Sequence, residues 1–293
     1  MTTPSIDGFE YHRVQVAPEV ALNAAVAGQG SPVVLLHGFP QTHLCWRRVA
    51  PELAENHTVI VPDLRGYGDS DKPAESGPDV YSKRTMADDV VALAAHFGFD
   101  KFALVGHDRG ALVAIRAGLD HPDRITHLGS LDVLPTLDMW DVMHGVSAAV
   151  GFHLYLMAQP AGLPEAMIRG SADTFFGHFL DAWGADGQAI PADIRARYLQ
   201  ASAAAIDSIV ADYRASAGID LEHDRQDRAA ALTLRMPVTV IQQDWGLQMG
   251  FDGKTIWQSW APDLDYRLQN FGHFMAEQSP AEVVRAIADL LKR

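Results

Sequence analysis

Short apolar runs alternate with amphipathic stretches along residues 1–133. Ser31–His37, Thr58–Pro62 and Phe102–Gly106 are almost continuously hydrophobic, which is typical of buried strands in a parallel sheet. Thr85–Phe97 carries apolar residues at helical spacing and predicts an amphipathic helix between two of these runs. The alternation predicts a series of β-α-β units around a mostly parallel sheet.

The pattern predicts a core that is interrupted once. An entering hairpin is predicted at Tyr11–Val16 and Val20–Ala27, and a further helix at residues 110–119. Residues 138–230 show long helical patterns without a clear strand. We therefore expect a core domain of residues 1–137 and 231–293 with an inserted helical domain of residues 138–230. The other predicted core elements are the strands Ile125–Val133, Pro237–Gln242 and Asp265–Asn270 and the closing helix Pro280–Leu291.

A glycine-flanked aspartate follows one of these strands. In open α/β sheets, ligands bind at the carboxyl ends of the strands. Gly106-His-Asp-Arg-Gly matches the Gly-x-nucleophile-x-Gly turn, with Asp108 where serine is more usual. A carboxylate nucleophile favours attack on a saturated carbon, which displaces a halide or opens an epoxide, because attack on an ester or amide would give an anhydride. The alternative is that Asp108 only caps the following helix.

Two other strand-end motifs supply the groups that such a nucleophile requires. In His37-Gly-Phe-Pro, the backbone N–H of Phe39 is predicted to form an oxyanion hole with that of Arg109. His273, in Gly-His-Phe after the last predicted strand, is the candidate base that activates water to split the ester. Asp132 and Asp244 both end strands and either can orient His273; Asp132 is favoured.

Motifs from the strand ends and from the inserted helices occur together in one known family. They are His37-Gly-Phe-Pro-Gln-Thr-His, Asp63-Leu-Arg-Gly-Tyr-Gly-Asp-Ser-Asp-Lys-Pro, Gly106-His-Asp-Arg-Gly, Leu131-Asp-Val-Leu-Pro-Thr, Ala158-Gln-Pro, Leu163-Pro-Glu, Asp212-Tyr-Arg-Ala, Asp220-Leu-Glu-His-Asp and Gly272-His-Phe. Over nearly its whole length the chain resembles the fluoroacetate (haloacetate) dehalogenases, which are α/β-hydrolases related to the epoxide hydrolases. The resemblance implies an α/β-hydrolase fold, with a mostly parallel sheet of about eight strands and a helical cap.

The resemblance implies hydrolytic release of halide from small 2-halo acids, with an altered substrate range, and it also implies roles for the matching core residues. Asp108 would be the nucleophile, His273 the base and Asp132 the acid. Arg109 would hold the carboxylate of a small 2-halo acid. The alternative for Arg109 is a structural pairing with an acidic side chain.

In the insertion, the resemblance implies that His153 and Tyr213 donate hydrogen bonds to the leaving group and that Trp183 lines the pocket. Two positions depart from the family pattern, since Leu112 replaces a second arginine and Leu154 replaces a tryptophan. Both changes weaken the binding of a small carboxylate and a halide, and they suit a larger, more apolar substrate. The alternative function is an epoxide hydrolase that polarises the epoxide with His153 and Tyr213. A non-catalytic hydrolase-fold binding protein is a remoter alternative.

Composition narrows the possible partners. Asp and Glu number 37 and Lys and Arg 23, which gives a net charge of −14 and argues against nucleic acid or an anionic membrane. The single cysteine, Cys45, excludes an intramolecular disulfide and a cysteine-based zinc site. No metal or cofactor is predicted. The chain shows neither a secretory signal nor a membrane-spanning stretch, so we expect a cytoplasmic protein with a small-molecule substrate. The resemblance implies a homodimer.

Overall fold

One mixed sheet organises the computed structural model, which describes residues 4–184, 189–244 and 249–293. Within these ranges its eight strands are β1 (Glu10–Ala17), β2 (Val20–Ala27), β3 (Pro32–Leu36), β4 (Thr58–Pro62), β5 (Phe102–His107), β6 (Ile125–Leu131), β7 (Val238–Gln242) and β8 (Leu264–Leu268). Their order is β1-β2-β4-β3-β5-β6-β7-β8. The pairs β1/β2 and β2/β4 are antiparallel, and the other neighbours are parallel.

Helices follow most of the strands. In the described ranges they are α1 (Ala50–Leu53), α2 (Lys83–His96), α3 (Arg109–Asp120), α4 (Thr136–Val142), α5 (Phe152–Met157), α6 (Leu163–Arg169), α7 (Ala172–Ala182), α8 (Ala192–Ala203), α9 (Ile206–Ser216), α10 (Ile219–Ala229), α11 (Gly253–Trp260), α12 (Met275–Gln278) and α13 (Pro280–Leu290). Two short 3-10 helices lie at His43–Trp46 and Val146–Gly151. No helix in the described part of the chain is both long enough and apolar enough to cross a membrane.

The central strands are buried on both faces, which explains their continuous hydrophobic sequences. Along β3, Val34 and Leu36 belong to the hydrophobic cluster that includes α2 and α3. Val33 and Leu35 belong to the opposite cluster, which includes α1 and α13. Successive side chains of a strand point to opposite faces, so a strand covered on both sides must be apolar at every position.

The helices α4 to α10 lie between β6 and β7, where the sequence predicts a helical insertion. Ion pairs attach them to the rest of the molecule. Arg116 of α3 bonds to Asp224 of α10 through Nη2 at 2.6 Å and also pairs with Asp227. The division into two domains at residues 138 and 230 stays a prediction. The predicted mostly parallel sheet of eight strands is confirmed.

Candidate active site

The turn between β5 and α3 places Asp108 in an unusual backbone conformation, with φ of 49° and ψ of −116°. Such a conformation is strained for a residue other than glycine and persists only where its surroundings enforce it. The flanking glycines are required by close contacts. A Cβ atom on Gly106 would lie 2.3 Å from the carbonyl oxygen of Gly110, and one on Gly110 would lie 2.4 Å from that of His37. Glycine is therefore required on both sides of Asp108, at positions 106 and 110, because a side chain at either position would clash with the backbone.

The Asp108 carboxyl faces the two predicted backbone donors. The N–H of Phe39 donates to its Oδ1 at 2.7 Å. Desolvation raises the pKa of Asp108, while the charges of His273 and Arg109 and the N–H groups of Phe39 and Arg109 act in the opposite direction. The same two N–H groups are placed to stabilise an oxyanion that forms on this carboxyl group.

His273 follows β8 and is hydrogen-bonded to the end of β6. Its Nδ1 lies 2.7 Å from Oδ2 of Asp132. Its Nε2 is buried and has no hydrogen-bond partner among the described residues. Burial lowers the pKa of His273, but the hydrogen bond and charge of Asp132 and the charge of Asp108 outweigh it, so the pKa is raised. A proton on Nδ1 leaves the Nε2 lone pair available to a water molecule.

Asp132 is held from a second side. It adopts a φ of +53° immediately after β6. The backbone N–H of Gln243 donates to Oδ1 at 2.9 Å, and its side-chain amide donates to Oδ2 at 2.8 Å. Despite burial, which raises the pKa of Asp132, the bonds to His273 and Gln243 lower it overall. Asp244, the alternative acid, lies two residues beyond the end of β7.

Arg109 is buried and bonded to an acidic side chain of the insertion. Its Nε donates to Asp212 Oδ2 at 2.8 Å, and its Nη2 donates to Asp212 Oδ1 at 2.9 Å and to Ser216 Oγ at 2.7 Å. Asp212 also pairs with Lys83 of α2 and accepts a hydrogen bond from Tyr67. The guanidinium charge is thus matched by a carboxylate in a bidentate pair.

His153 of α5 and Tyr213 of α9 lie on the inserted helices and face the same cavity as Asp108. Their ring centroids lie 5.5 Å apart. Burial and the nearby charge of Arg109 lower the pKa of His153 to about 3, so its imidazole is neutral at neutral pH. Burial and the charge of Asp108 raise the pKa of Tyr213 well above its usual value. The neutral imidazole of His153 and the phenol of Tyr213 therefore each keep a hydrogen-bond donor for a developing negative charge.

A cavity of about 110 Å³ joins these groups. It approaches the size of cavities that hold a small aromatic molecule, about 150 Å³. Apart from Phe39, every residue of the predicted site lines it: Asp108, Arg109, Leu112, Asp132, His153, Leu154, Trp183, Tyr213 and His273. The rest of its lining is largely apolar: Val133, Leu134, Thr136, Met139, Trp140, Met143, Val150, Gly151, Ser216, Gln242, Met249 and Phe251.

Comparison with known proteins places this site in a family. Residues 31–152 match the model of the alpha/beta hydrolase fold. The chain is 37% identical to fluoroacetate dehalogenase from Burkholderia sp over 291 residues, which is 97% of this chain and 94% of that protein. The chain belongs to the fluoroacetate dehalogenase family of α/β-hydrolases. The resemblance identified from the motifs is confirmed.

This member of the fluoroacetate dehalogenase family is also similar to proteins with other descriptions. It is 31% identical to soluble epoxide hydrolase from Corynebacterium sp. (strain C12) over 286 residues, covering 95% of this chain and 92% of that protein. The crystal structure of ALR0039 from Nostoc sp PCC 7120 matches with a TM-score of 0.92 and 38% identity, over 99% of this chain and all of that one. The protein is a hydrolase related to haloacetate dehalogenases and to epoxide hydrolases.

Sequence reasoning missed part of the site of this dehalogenase-family protein. It quoted Asp212 only as part of a family motif, without identifying it as the partner of Arg109, and it gave no role to Ser216, which also binds Arg109, or to Gln243, which binds Asp132. The acidic residue immediately before Tyr213 was the available signal, because a buried arginine needs a counter-charge. In the described ranges, no three His, Cys, Asp or Glu side chains lie close enough to hold a metal ion.

Proposed function

We propose that this protein hydrolyses a neutral, apolar epoxide through a covalent alkyl ester on Asp108. The observation that carries the proposal is the pairing of Arg109 with Asp212 at 2.8 Å, together with Leu112 in the place of a second arginine. A carboxylate substrate would have to compete with Asp212 for Arg109. An uncharged substrate has no such requirement, and it suits the largely apolar cavity wall.

Ester formation is the first chemical step. A carboxylate oxygen of Asp108 attacks an epoxide carbon, and the bond between this carbon and the epoxide oxygen breaks. The oxygen develops negative charge, accepts hydrogen bonds from His153 and Tyr213 and takes the phenolic proton of Tyr213. The product of this step is a hydroxyalkyl ester of Asp108.

Ester hydrolysis is the second step. Nε2 of His273 takes a proton from water while the water oxygen attacks the ester carbonyl carbon of Asp108. The N–H groups of Phe39 and Arg109 stabilise the oxyanion, and Asp132 stabilises the imidazolium. Collapse of the tetrahedral intermediate transfers the proton of His273 to the departing alkoxide and releases a diol. Asp108 is left as the carboxylic acid, and loss of its proton restores the carboxylate and the Tyr213 phenol.

A second candidate is hydrolytic release of halide from a small 2-halo acid. The 37% identity to a fluoroacetate dehalogenase favours it. His153 and Tyr213 would then bind the departing halide. Leu154 offers no third donor, so fluoride, the halide that is hardest to expel, would be the poorest leaving group.

A substrate panel separates the two candidates. We expect styrene oxide to be converted to its diol, with much slower halide release from fluoroacetate, chloroacetate and bromoacetate. Rapid release of halide without turnover of the epoxide would overturn the proposal in favour of the second candidate. Absence of turnover on every compound would favour a binding protein.

The covalent route has its own test. In a single turnover in heavy-oxygen water, the label should enter the Asp108 carboxylate and not the first product molecule. Asp108→Asn should abolish activity. His273→Asn should accumulate the ester, seen by mass spectrometry as enzyme plus substrate mass, because attack survives while hydrolysis does not. Label in the first product would exclude the ester.

A further inference from the structure

The arginine after the nucleophile is bound to the helix that carries the proposed proton donor. Asp212 immediately precedes Tyr213 on α9. Arg109 bonds to both carboxylate oxygens of Asp212 and, through Nη2, to its backbone carbonyl oxygen at 3.0 Å. The centre of the guanidinium lies 4.1 Å from the centroid of the Tyr213 ring. One side chain therefore contacts two consecutive residues of α9.

Asp212, the acidic partner of Arg109, is itself held by other side chains. The Asp212 side chain is fully buried, and Lys83 and Tyr67 bind the same carboxylate that Arg109 binds. Lys83 also lies 3.6 Å from Asp220, so two cations face two carboxylates. Removing ions from water costs free energy, and apolar side chains of similar size would hold two helices together at least as well. The planar, bidentate geometry points to orientation rather than adhesion as the purpose of the pair.

Tyr213 is confined on its other side by aromatic rings. Phe39 packs edge-on against it at 5.4 Å between centroids, and His153 does so at 5.5 Å. Tyr213 lines the cavity beside Asp108. Arg109 thus packs against the Tyr213 ring in addition to Phe39 and His153.

We propose that Arg109, bound by Asp212 and Ser216, is a positioning residue that holds the Tyr213 ring beside Asp108. Arg109 would then act through the Tyr213 phenol rather than by binding a substrate carboxylate. The role of Tyr213 as donor rests on the proposed function. The position of its ring does not.

Matched substrates that differ only in charge test the two roles. Wild-type protein and Arg109→Lys would be compared on glycidate and glycidamide, and on chloroacetate and chloroacetamide. A positioning role predicts that kcat falls about tenfold or more for the neutral and the anionic member alike, with little change in KM. A rise in KM confined to the anions would overturn the proposal. The exposed Arg285→Met is the control and should leave both constants unchanged.

A double-mutant cycle tests whether Arg109 acts through the phenol. The ester-forming rate would be measured for Arg109→Lys, Tyr213→Phe and the double variant. We expect Arg109→Lys to cost less than about threefold once Tyr213 is phenylalanine, since coupled residues are non-additive. Equal cost in both backgrounds would contradict the proposal.

A crystal structure separates this proposal from the proposed function. In Arg109→Met combined with Asp212→Asn, which removes both charges of the pair and leaves Lys83 beside Asp220, the Tyr213 ring should leave its place beside Asp108. An unmoved ring would overturn the positioning role. If the wild-type protein turns over none of the substrates, the proposed function fails while this structural outcome still decides the position of Tyr213.

Discussion

Two carboxylates, Asp132 and Asp108, lie close enough to His273 to influence the charge of its imidazole. Asp132 and Asp108 both favour its protonated form. If Asp108 forms a neutral ester as proposed, its contribution disappears and the pKa of His273 falls. In the proposed reaction, His273 would therefore become a free base for proton abstraction at the step that requires it.

The rate of ester hydrolysis should depend on pH through His273. The base must be neutral, so the rate falls as pH drops through the pKa of His273, which Asp132 holds up. Asp132→Asn removes that charge, and the acidic limb should move to lower pH while the maximal rate drops. Single-turnover decay of the ester, measured between about pH 5 and 9, reports the limb. If the acidic limb of the pH–rate profile does not move in Asp132→Asn, another carboxylate must raise the pKa of His273.

Replacing two leucines of the cavity wall should change which substrate charge the protein prefers. Leu112 and Leu154 line the cavity where the family pattern has arginine and tryptophan. Leu112→Arg with Leu154→Trp should raise kcat/KM for chloroacetate about tenfold or more, because a charge-assisted hydrogen bond is added. The value for styrene oxide should fall. Leu232→Arg, an exposed position outside the cavity, is the matched control. An unchanged chloroacetate value would contradict this account of the pocket.

At the scale of elements, the core strands could be predicted and the separate insertion helices could not. Strands such as β4 are buried on both faces, so their apolar runs end where the strand ends. β6 stops at Leu131, two residues before the predicted end, because Asp132 takes a positive φ. The boundaries within the insertion depend on packing between helices that are distant in sequence, which periodicity alone does not encode.

The turn that carries Asp108 should not tolerate a methyl group on its first glycine, Gly106. A Cβ on Gly106 would meet the backbone of Gly110 at 2.3 Å, whereas one on Gly77 would meet nothing within 4 Å. Gly106→Ala should lower the free energy of unfolding by about 1–3 kcal/mol or more and reduce activity, since the backbone must shift. Gly77→Ala should change neither. Urea unfolding and styrene oxide turnover measure the two effects; equal stability of the two variants would refute the steric argument.

At the scale of the whole molecule, the residues proposed to react with the substrate are easier to predict from sequence than the residues that surround the substrate. Asp108 and His273 stand in contiguous motifs at strand ends, which local sequence reveals. Arg109 and Asp212 are 103 residues apart, and only folding brings them together. The cavity wall joins α4, α5, α9 and the chain after β7, so its composition could not be read from any one segment.

Attachment of the insertion should depend on buried ion pairs. Arg116 has a side chain that is 3% exposed and binds Asp224 and Asp227 of α10. Arg116→Met should lower the free energy of unfolding by about 3–5 kcal/mol, because two carboxylates lose their cation. Arg285→Met, which removes an exposed pair with Glu282, should cost less than about 1 kcal/mol. Comparable losses in urea unfolding would show that the pairs around Arg116 do not hold the insertion.

The bond between Arg109 and Asp212 also bears on how such proteins diverge. The groups proposed to split the ester lie in loops of the sheet, whereas much of the rest of the cavity wall comes from the inserted helices. Exchange of these helices between relatives could therefore alter what is accepted without rebuilding the hydrolytic machinery. A transplanted α9 that lacked a carboxylate at position 212 would strand a buried guanidinium. The residue at position 212 can thus be checked in the sequence of a recombinant enzyme, before the enzyme is made, to see whether the inserted helices fit the core.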